Sequence, residues 1–442
     1  MPVLLPLLLA ASAAAGTDDA LIVDIRAASP VEVAALKQGD GVRWWLELGN
    51  RMLLAGDVAA GSPLPASTPV LAQLSDLRVE DLALRAVGCA IHEDAPGRLL
   101  ARGGRWQLRQ LAVGETLPRD ADEHWRPVQP NEVVARQYRL DAPLAAPADP
   151  RVLPLVRHID TSRWFADLSQ LASWDRSSFG TTGLFAARDW IGAQFAGLGL
   201  TVAKPDFTMP GANGGSITRQ NVVGMWTGTT VPDEWVVVGA HYDSRNADLR
   251  AVNDTPGAED NASGCAGVIE IARALLPFRP QRSVLFMCYA GEEQGLYGSE
   301  RHVQALQASG DIAKVTSVVI MDMIGYSEDD QLDAEYESYP QWQAYLNRFG
   351  AAAATYAPEL NISISLNPFG SDHMPYLDAG RQALLGIESD YDIYPHYHES
   401  TDIPVNIGPN AEAMGGAILK TNVAVLADLA GASDGIFGNG FE

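Results

Sequence analysis

Lysine is almost missing from this chain of 442 residues, which has only Lys37, Lys204, Lys314 and Lys420. With arginine included, 31 basic side chains face 55 acidic ones, for a formal net charge of -24. Such a surface repels phosphate backbones and anionic lipid, which argues against nucleic acid or a membrane as partner. Cysteine is scarce too. Cys89, Cys265 and Cys288 are too few for a scaffold built on disulfides. Cys265 and Cys288 sit in apolar context, where buried free thiols are the expected state and a bond requires their elements to touch. No run is long and apolar enough to span a bilayer as a helix. Val3 to Ala15 is a short apolar run ending in small residues, the pattern of a secretory signal cleaved near Ala15, although no Lys or Arg precedes it. An exported soluble protein, secreted or periplasmic and monomeric, is the expectation.

What the chain does have is apolar mass. A hydrophobic share of 47% with 19% charged residues makes it globular, and its length fits two domains or one domain with an extension. After the leader (1–15), residues 16–150 read as a small β-rich pro-region or accessory domain. Short runs such as Leu21-Ile22-Val23 and Met52-Leu53-Leu54 alternate there with Gly, Pro and Asp. Asp141 to Pro154, with four prolines, reads as a linker. From 151 to 432 the pattern changes to alternating helices and strands. Helices are expected at 182–198, 263–276, 299–308, 340–357 and 412–429, and strands at 221–226, 235–241, 283–289, 315–324 and 382–388. That alternation predicts an α/β fold of three layers, α/β/α, around a mixed, largely parallel sheet. The tail 433–442 is Gly-rich and carries no assigned role.

Ligands of such sheets collect beyond the carboxyl ends of the strands, and the polar residues of this region fall there. His241 and Asp243 close one strand, Asp260 precedes a helix, Glu292 and Glu293 follow another strand, Asp322 lies in VVIMDMIG, and His398 follows the last strand in YPHYHESTD. A Gly-Glu-Glu turn taken alone is usually a solvated pair. Here two adjacent carboxylates at the end of a buried strand would repel each other without a cation. Imidazole and carboxylate together suit zinc, with cobalt or manganese as alternatives. The donors divide between two ions: His241, Asp322 and Asp260 around one, Glu293, His398 and the same Asp260 around the other. Glu292 is then left as a general base for a metal-activated water, and Asp243 as an acceptor for the second imidazole nitrogen of His241. His396 and His373 are rivals to His398.

The segments PDEWVVVGAHYDS, PGAEDNASG, FMCYAGEEQGLYGS, VVIMDMIGY, GSDHMPYLDAG and YHESTD, in this order from about His158 to Ala430, resemble the bacterial leucyl aminopeptidase family of dizinc exopeptidases. Related groups are aminopeptidase Y, glutamate carboxypeptidase and glutaminyl cyclase. The resemblance implies two zinc ions per chain, held by His241, bridging Asp260, Glu293, Asp322 and His398, with Glu292 as general base, and a peptide as substrate. Some relatives place a disulfide and a Tyr just before the SDH motif; Asn367-Pro368-Phe369-Gly370 has neither. Others place a Tyr before the last His, and Tyr397 fits that variant as the donor to the oxyanion. Met323, Phe369, Tyr391 and Tyr394 are candidates for an apolar side-chain pocket. The implied activity is removal of N-terminal, preferably apolar, residues. A carboxypeptidase or dipeptidase, a glutaminyl cyclase, and a non-catalytic relative on the same fold are the alternatives; the last is disfavoured because all five ligand positions are filled.

Overall fold

A computed structural model describes residues 17–26, 28–58, 64–86, 96–103, 106–112, 114–116, 124–136, 147–368 and 370–432. The leader, Cys89, Phe369 and the tail 433–442 lie outside the described residues.

Among these residues thirteen strands join in one mixed sheet. Its centre is parallel. Val231–His241 pairs in parallel with Arg282–Tyr289 on one side and Val315–Met321 on the other, and Val315–Met321 pairs in parallel with Ala383–Glu388. These strands are buried along most of their length, which is why they read as apolar runs rather than alternating ones. Gly239 lets the strands close up, since a Cβ there would stand 2.8 Å from the Tyr289 ring. Successive side chains alternate between faces. Phe286 meets Phe195 of the helix Thr182–Gly197, whereas Tyr289 meets His302 of Tyr297–Ser309 and its hydroxyl bonds Tyr376 in the short helix Met374–Asp378 (2.7 Å). Helices Gly264–Leu275 and Ala411–Leu429 pack together on the sheet. This is the expected layered α/β architecture. The centre is parallel and the flanks are mixed: Val222–Trp226 runs against Arg282–Tyr289, and Leu332–Glu337 runs against Ala383–Glu388 but parallel to Leu360–Ser365.

The expectation of free thiols fails. Cys265 and Cys288 form a disulfide across a 6.1 Å Cα separation, tying Gly264–Leu275 to Arg282–Tyr289. Both cysteines face the same helix-on-sheet contact, which spacing in sequence does not reveal.

The N-terminal region is β-rich and continues the same sheet. Ile364 pairs with Arg136, and the order runs on through Glu132–Arg136, Val42–Gly49, Arg51–Gly56, Asp18–Asp24 and Val70–Leu77. Leu82–Ala86, Arg98–Gly103, Trp106–Gln110 and His124–Pro127 form a separate four-stranded sheet. One helix, Pro30–Leu36, was not expected there. Ser29 and Glu32 form a capping box at its start, a signal present in the sequence as Ser-Pro-Val-Glu.

Candidate functional site

Because the central strands are parallel, their carboxyl ends share one edge. His241 is the last residue of its strand and Asp322 follows Met321 directly. The strand Arg282–Tyr289 stops before Gly291, whose φ of 74° is a left-handed conformation that glycine adopts without strain. That turn releases Glu292 and Glu293 from the strict alternation of a strand. Both can then face the same space, as two roles for adjacent residues require. Asp260 lies on the irregular segment Ala258–Ser263. His398 lies on a turn, with a positive φ of 54° that is uncommon for a residue with a Cβ.

These residues converge. His241 Nε2 is 3.2 Å from Asp260 Oδ1 and 3.3 Å from Asp322 Oδ1. His398 Nε2 is 2.9 Å from Asp260 Oδ2 and 3.2 Å from Glu293 Oε2. The two oxygens of Asp260 thus face different imidazoles. Glu292 Oε2 stands 4.0 Å from His241 Nε2, at the edge of the first group. His241, Asp260 and Glu293, and likewise His241, Glu292 and Asp322, each bring donor atoms within 4.8 Å of one another. All of these residues are buried.

The donor set fits metal ions. Asp243, Asp260, Glu292, Glu293, Asp322, Asp372 and Asp402 are all buried in this neighbourhood, seven carboxylates against His241, His398, Arg176 and Arg245. Neither oxygen of Glu293 and neither ring nitrogen of His398 takes part in a hydrogen bond. Two donors bound to one tetrahedral zinc at about 2.0–2.1 Å lie roughly 3.3 Å apart, close to the separations here. Burial, first of all causes, pushes Glu292 and Glu293 well above the usual carboxylate range. Asp260 feels the same upward push, yet the imidazoles of His241 and His398 hold it well below that range. Burial also pulls both imidazoles down; Asp322 and Glu292 reverse this for His241, while His398 stays lowered.

The supporting shell differs in part from expectation. Nδ1 of His241 faces the main-chain carbonyl of Asp243 at 3.0 Å, and the Asp243 carboxylate stands 3.7 Å away. The carboxylate instead accepts the Ser178 hydroxyl (2.8 Å), which itself accepts the N–H of Gly291 (2.8 Å). The strand ends at His241, so the side chain of Asp243 no longer follows strand alternation. The ring of Tyr394 is buried and its hydroxyl donates to Asp402 (2.8 Å). Met323 and Tyr391 are buried at 2% exposure each. The ring of half-buried Tyr397 stacks on His398 with centroids 3.9 Å apart. The rivals of His398 are engaged elsewhere: His373 faces buried Glu337 (3.1 Å) and His396 bonds the Thr401 hydroxyl (2.8 Å).

Four supports escaped the sequence reading. Ser371 donates to Asp322 Oδ2 (2.7 Å). Asn261 accepts from the N–H of Gly264 (2.8 Å) and donates to the Met321 carbonyl (3.0 Å). Arg176 is fully buried and donates to the carbonyls of Tyr242 (2.7 Å) and Gly257 (2.6 Å); burial lowers it to about 10, so it keeps its charge at neutral pH. Asp402 accepts the N–H groups of Glu259 (2.9 Å) and Asp260 (3.0 Å). Ser371 and Asp402 did lie inside the motifs GSDH and YHESTD, but a motif does not say which atom each side chain reaches.

The fold is α/β, and the buried donor set at its strand ends fits metal ions. Residues 221–421, a little under half of the chain, match the sequence model of Peptidase family M28. A probable zinc metalloprotease of Pyricularia oryzae is 39% identical over 156 residues, 33% of this chain and 31% of that protein. Another, from Leptosphaeria maculans, is 29% identical over 303 residues, 58% of this chain and 70% of that protein. The matched stretch thus covers about a third of the first relative and seven tenths of the second. The solved aminopeptidase LapA of Legionella pneumophila shares the fold with a TM-score of 0.53 at 21% identity, covering 79% of this chain and 98% of its own.

Proposed function

We propose that the protein is an exported zinc aminopeptidase that hydrolyses the N-terminal peptide bond of peptides, with a preference for apolar first residues. The observation that carries this reading is the division of the Asp260 oxygens between His241 and His398. It supports a pair of zinc ions, one with His241, Asp260 and Asp322 and one with Asp260, Glu293 and His398. Zinc bound in such a pair lowers the pKa of water and polarises the carbonyl to be attacked. Glu292, buried beside His241, takes the proton of the attacking water and passes it to the leaving amine. Tyr397, held over His398 by stacking, donates its hydroxyl to the carbonyl oxygen as charge develops there. The main-chain carbonyl of Asp243 fixes the ring of His241. The Cys265–Cys288 disulfide supports export, since such bonds persist in oxidising compartments.

Assaying Leu-, Arg- and Glu-anilides, N-blocked peptides and Gln-peptides side by side tests the reading. Turnover of Leu-anilide with none on N-blocked peptides is expected. Hydrolysis of N-blocked peptides from the carboxyl end, or cyclisation of N-terminal Gln, would replace it with the carboxypeptidase or the glutaminyl cyclase alternative.

A further inference from the structure

The turn that carries His398 and the segment that carries Asp260 are far apart in sequence, yet one side chain joins them. Asp402 is 1% exposed. Its Oδ1 accepts the N–H of Glu259 (2.9 Å) and the Tyr394 hydroxyl (2.8 Å), and its Oδ2 accepts the N–H of Asp260 (3.0 Å). Its main chain belongs to the same joint: its N–H donates to the carbonyl of Glu399 (3.0 Å), and its carbonyl accepts the N–H of Ala258 (2.9 Å). Three successive N–H groups, from Ala258 to Asp260, therefore end on one residue of the His398 turn.

We propose that Asp402 is a positioning residue that locks Asp260 to the His398 turn and thereby sets the affinity of the metal position formed by Asp260, Glu293 and His398. The proposal rests on the dizinc reading above. His241 and Asp322 stand at strand ends whose placement the sheet ladder fixes without Asp402. Neither Asp260 nor His398 has such a ladder. Asp260 lies on an irregular segment and His398 on a turn with positive φ. Removing the joint lets those two ligands drift relative to each other, while His241 and Asp322 stay in place. The second metal position suffers more than the first, which loses only the set of Asp260.

Asp402→Asn keeps the shape but turns one oxygen into a donor. Either the N–H of Asp260 or that of Glu259 then faces an NH₂ group. Tyr394→Phe removes one partner and leaves both main-chain bonds. Stepwise zinc affinities are read by competition with a chromophoric chelator on metal-free full-length protein, without substrate. In Asp402→Asn one zinc equivalent weakens by about tenfold or more, the range for residues that orient metal ligands, while the other changes by less than about threefold. Tyr394→Phe shifts the same equivalent in the same direction by less. Unchanged affinities in both variants, or equal weakening of both equivalents together with a lower melting temperature of the metal-free protein, would overturn the role of Asp402. Wild-type protein that takes up fewer than two zinc ions would sink the dizinc reading itself, before any variant is compared.

Discussion

The two halves of the site rest on different kinds of support. His241 and Asp322 belong to the sheet: both leave the ends of paired parallel strands, and their second atoms are already engaged, Nδ1 of His241 with a carbonyl and Oδ2 of Asp322 with the Ser371 hydroxyl. Asp260, Glu293 and His398 belong to turns. Glu293 follows a left-handed glycine, His398 is itself left-handed, and Glu293 and His398 make no hydrogen bond through their side chains. A ladder of main-chain bonds holds ligands without metal. Turns hold them only through individual side chains, so the second half depends on a few contacts such as those of Asp402, Asn261 and Arg176.

The largest test of this division concerns the group that belongs to neither of the two proposed metal positions. Glu292→Ala should lower kcat by about 10²–10⁴-fold while zinc content measured by atomic emission stays at the wild-type level. Turnover within a few fold of wild type would remove Glu292 from the proton-transfer role.

Next comes the bond that joins the helix after Asp260 to the strand before Glu292. Its loop spans 23 residues, so Cys265→Ala with Cys288→Ala should lower unfolding free energy by roughly 3 kcal/mol in the chain-entropy account. Urea titration of the metal-free protein measures this. A loss well under 1 kcal/mol would show that helix and sheet hold the site together without the bond.

The halves themselves separate in a third measurement. His241→Ala orphans the carbonyl of Asp243, a loss of about 1–3 kcal/mol for a buried acceptor. His398→Ala orphans no main-chain group and removes only the contacts of Nε2 with the Asp260 and Glu293 carboxylates. Each variant should lose one zinc equivalent, but only His241→Ala should lower the melting temperature of the metal-free protein appreciably. Equal melting shifts would erase the contrast between ladder and turn.

The smallest effect lies behind the sheet. Burial lowers His302 from 6.5 to about 4. The folded state resists protonation, so its stability is complete above pH 6.5 and declines as pH falls from there towards 4, by an amount on the order of 3 kcal/mol at most. In excess chelator, so that metal release does not contribute, His302→Phe should show a flatter stability profile over that window. Parallel profiles would assign the acid sensitivity elsewhere.

Much of this was legible in the sequence. The helices at 182–197 and 411–429 and the strands at 231–241 and 282–289 fall within a few residues of expectation, because each is long and either periodic or uniformly apolar. The strands Leu332–Glu337 and Leu360–Ser365 were missed: each is short, and Asp333, Glu335 and Glu337 give the first an alternating charge that suits a solvated loop as well. The N-terminal region was read as β-rich, but its continuation into the catalytic sheet depends on pairing between residues more than 200 apart, which no local pattern records.

The sequence by itself determined which chemistry was available: imidazoles and carboxylates at strand ends, and a glycine that frees Glu292 and Glu293 from the strand. Only the tertiary structure decided how those groups are shared. That Asp260 turns one oxygen to each imidazole, that the Tyr394 hydroxyl bonds Asp402, and that two cysteines expected to be free are bonded all follow from how the folded chain packs. Composition and local pattern dictate what a residue can donate or accept, but its partner is whichever group the folded chain brings within about 3 Å.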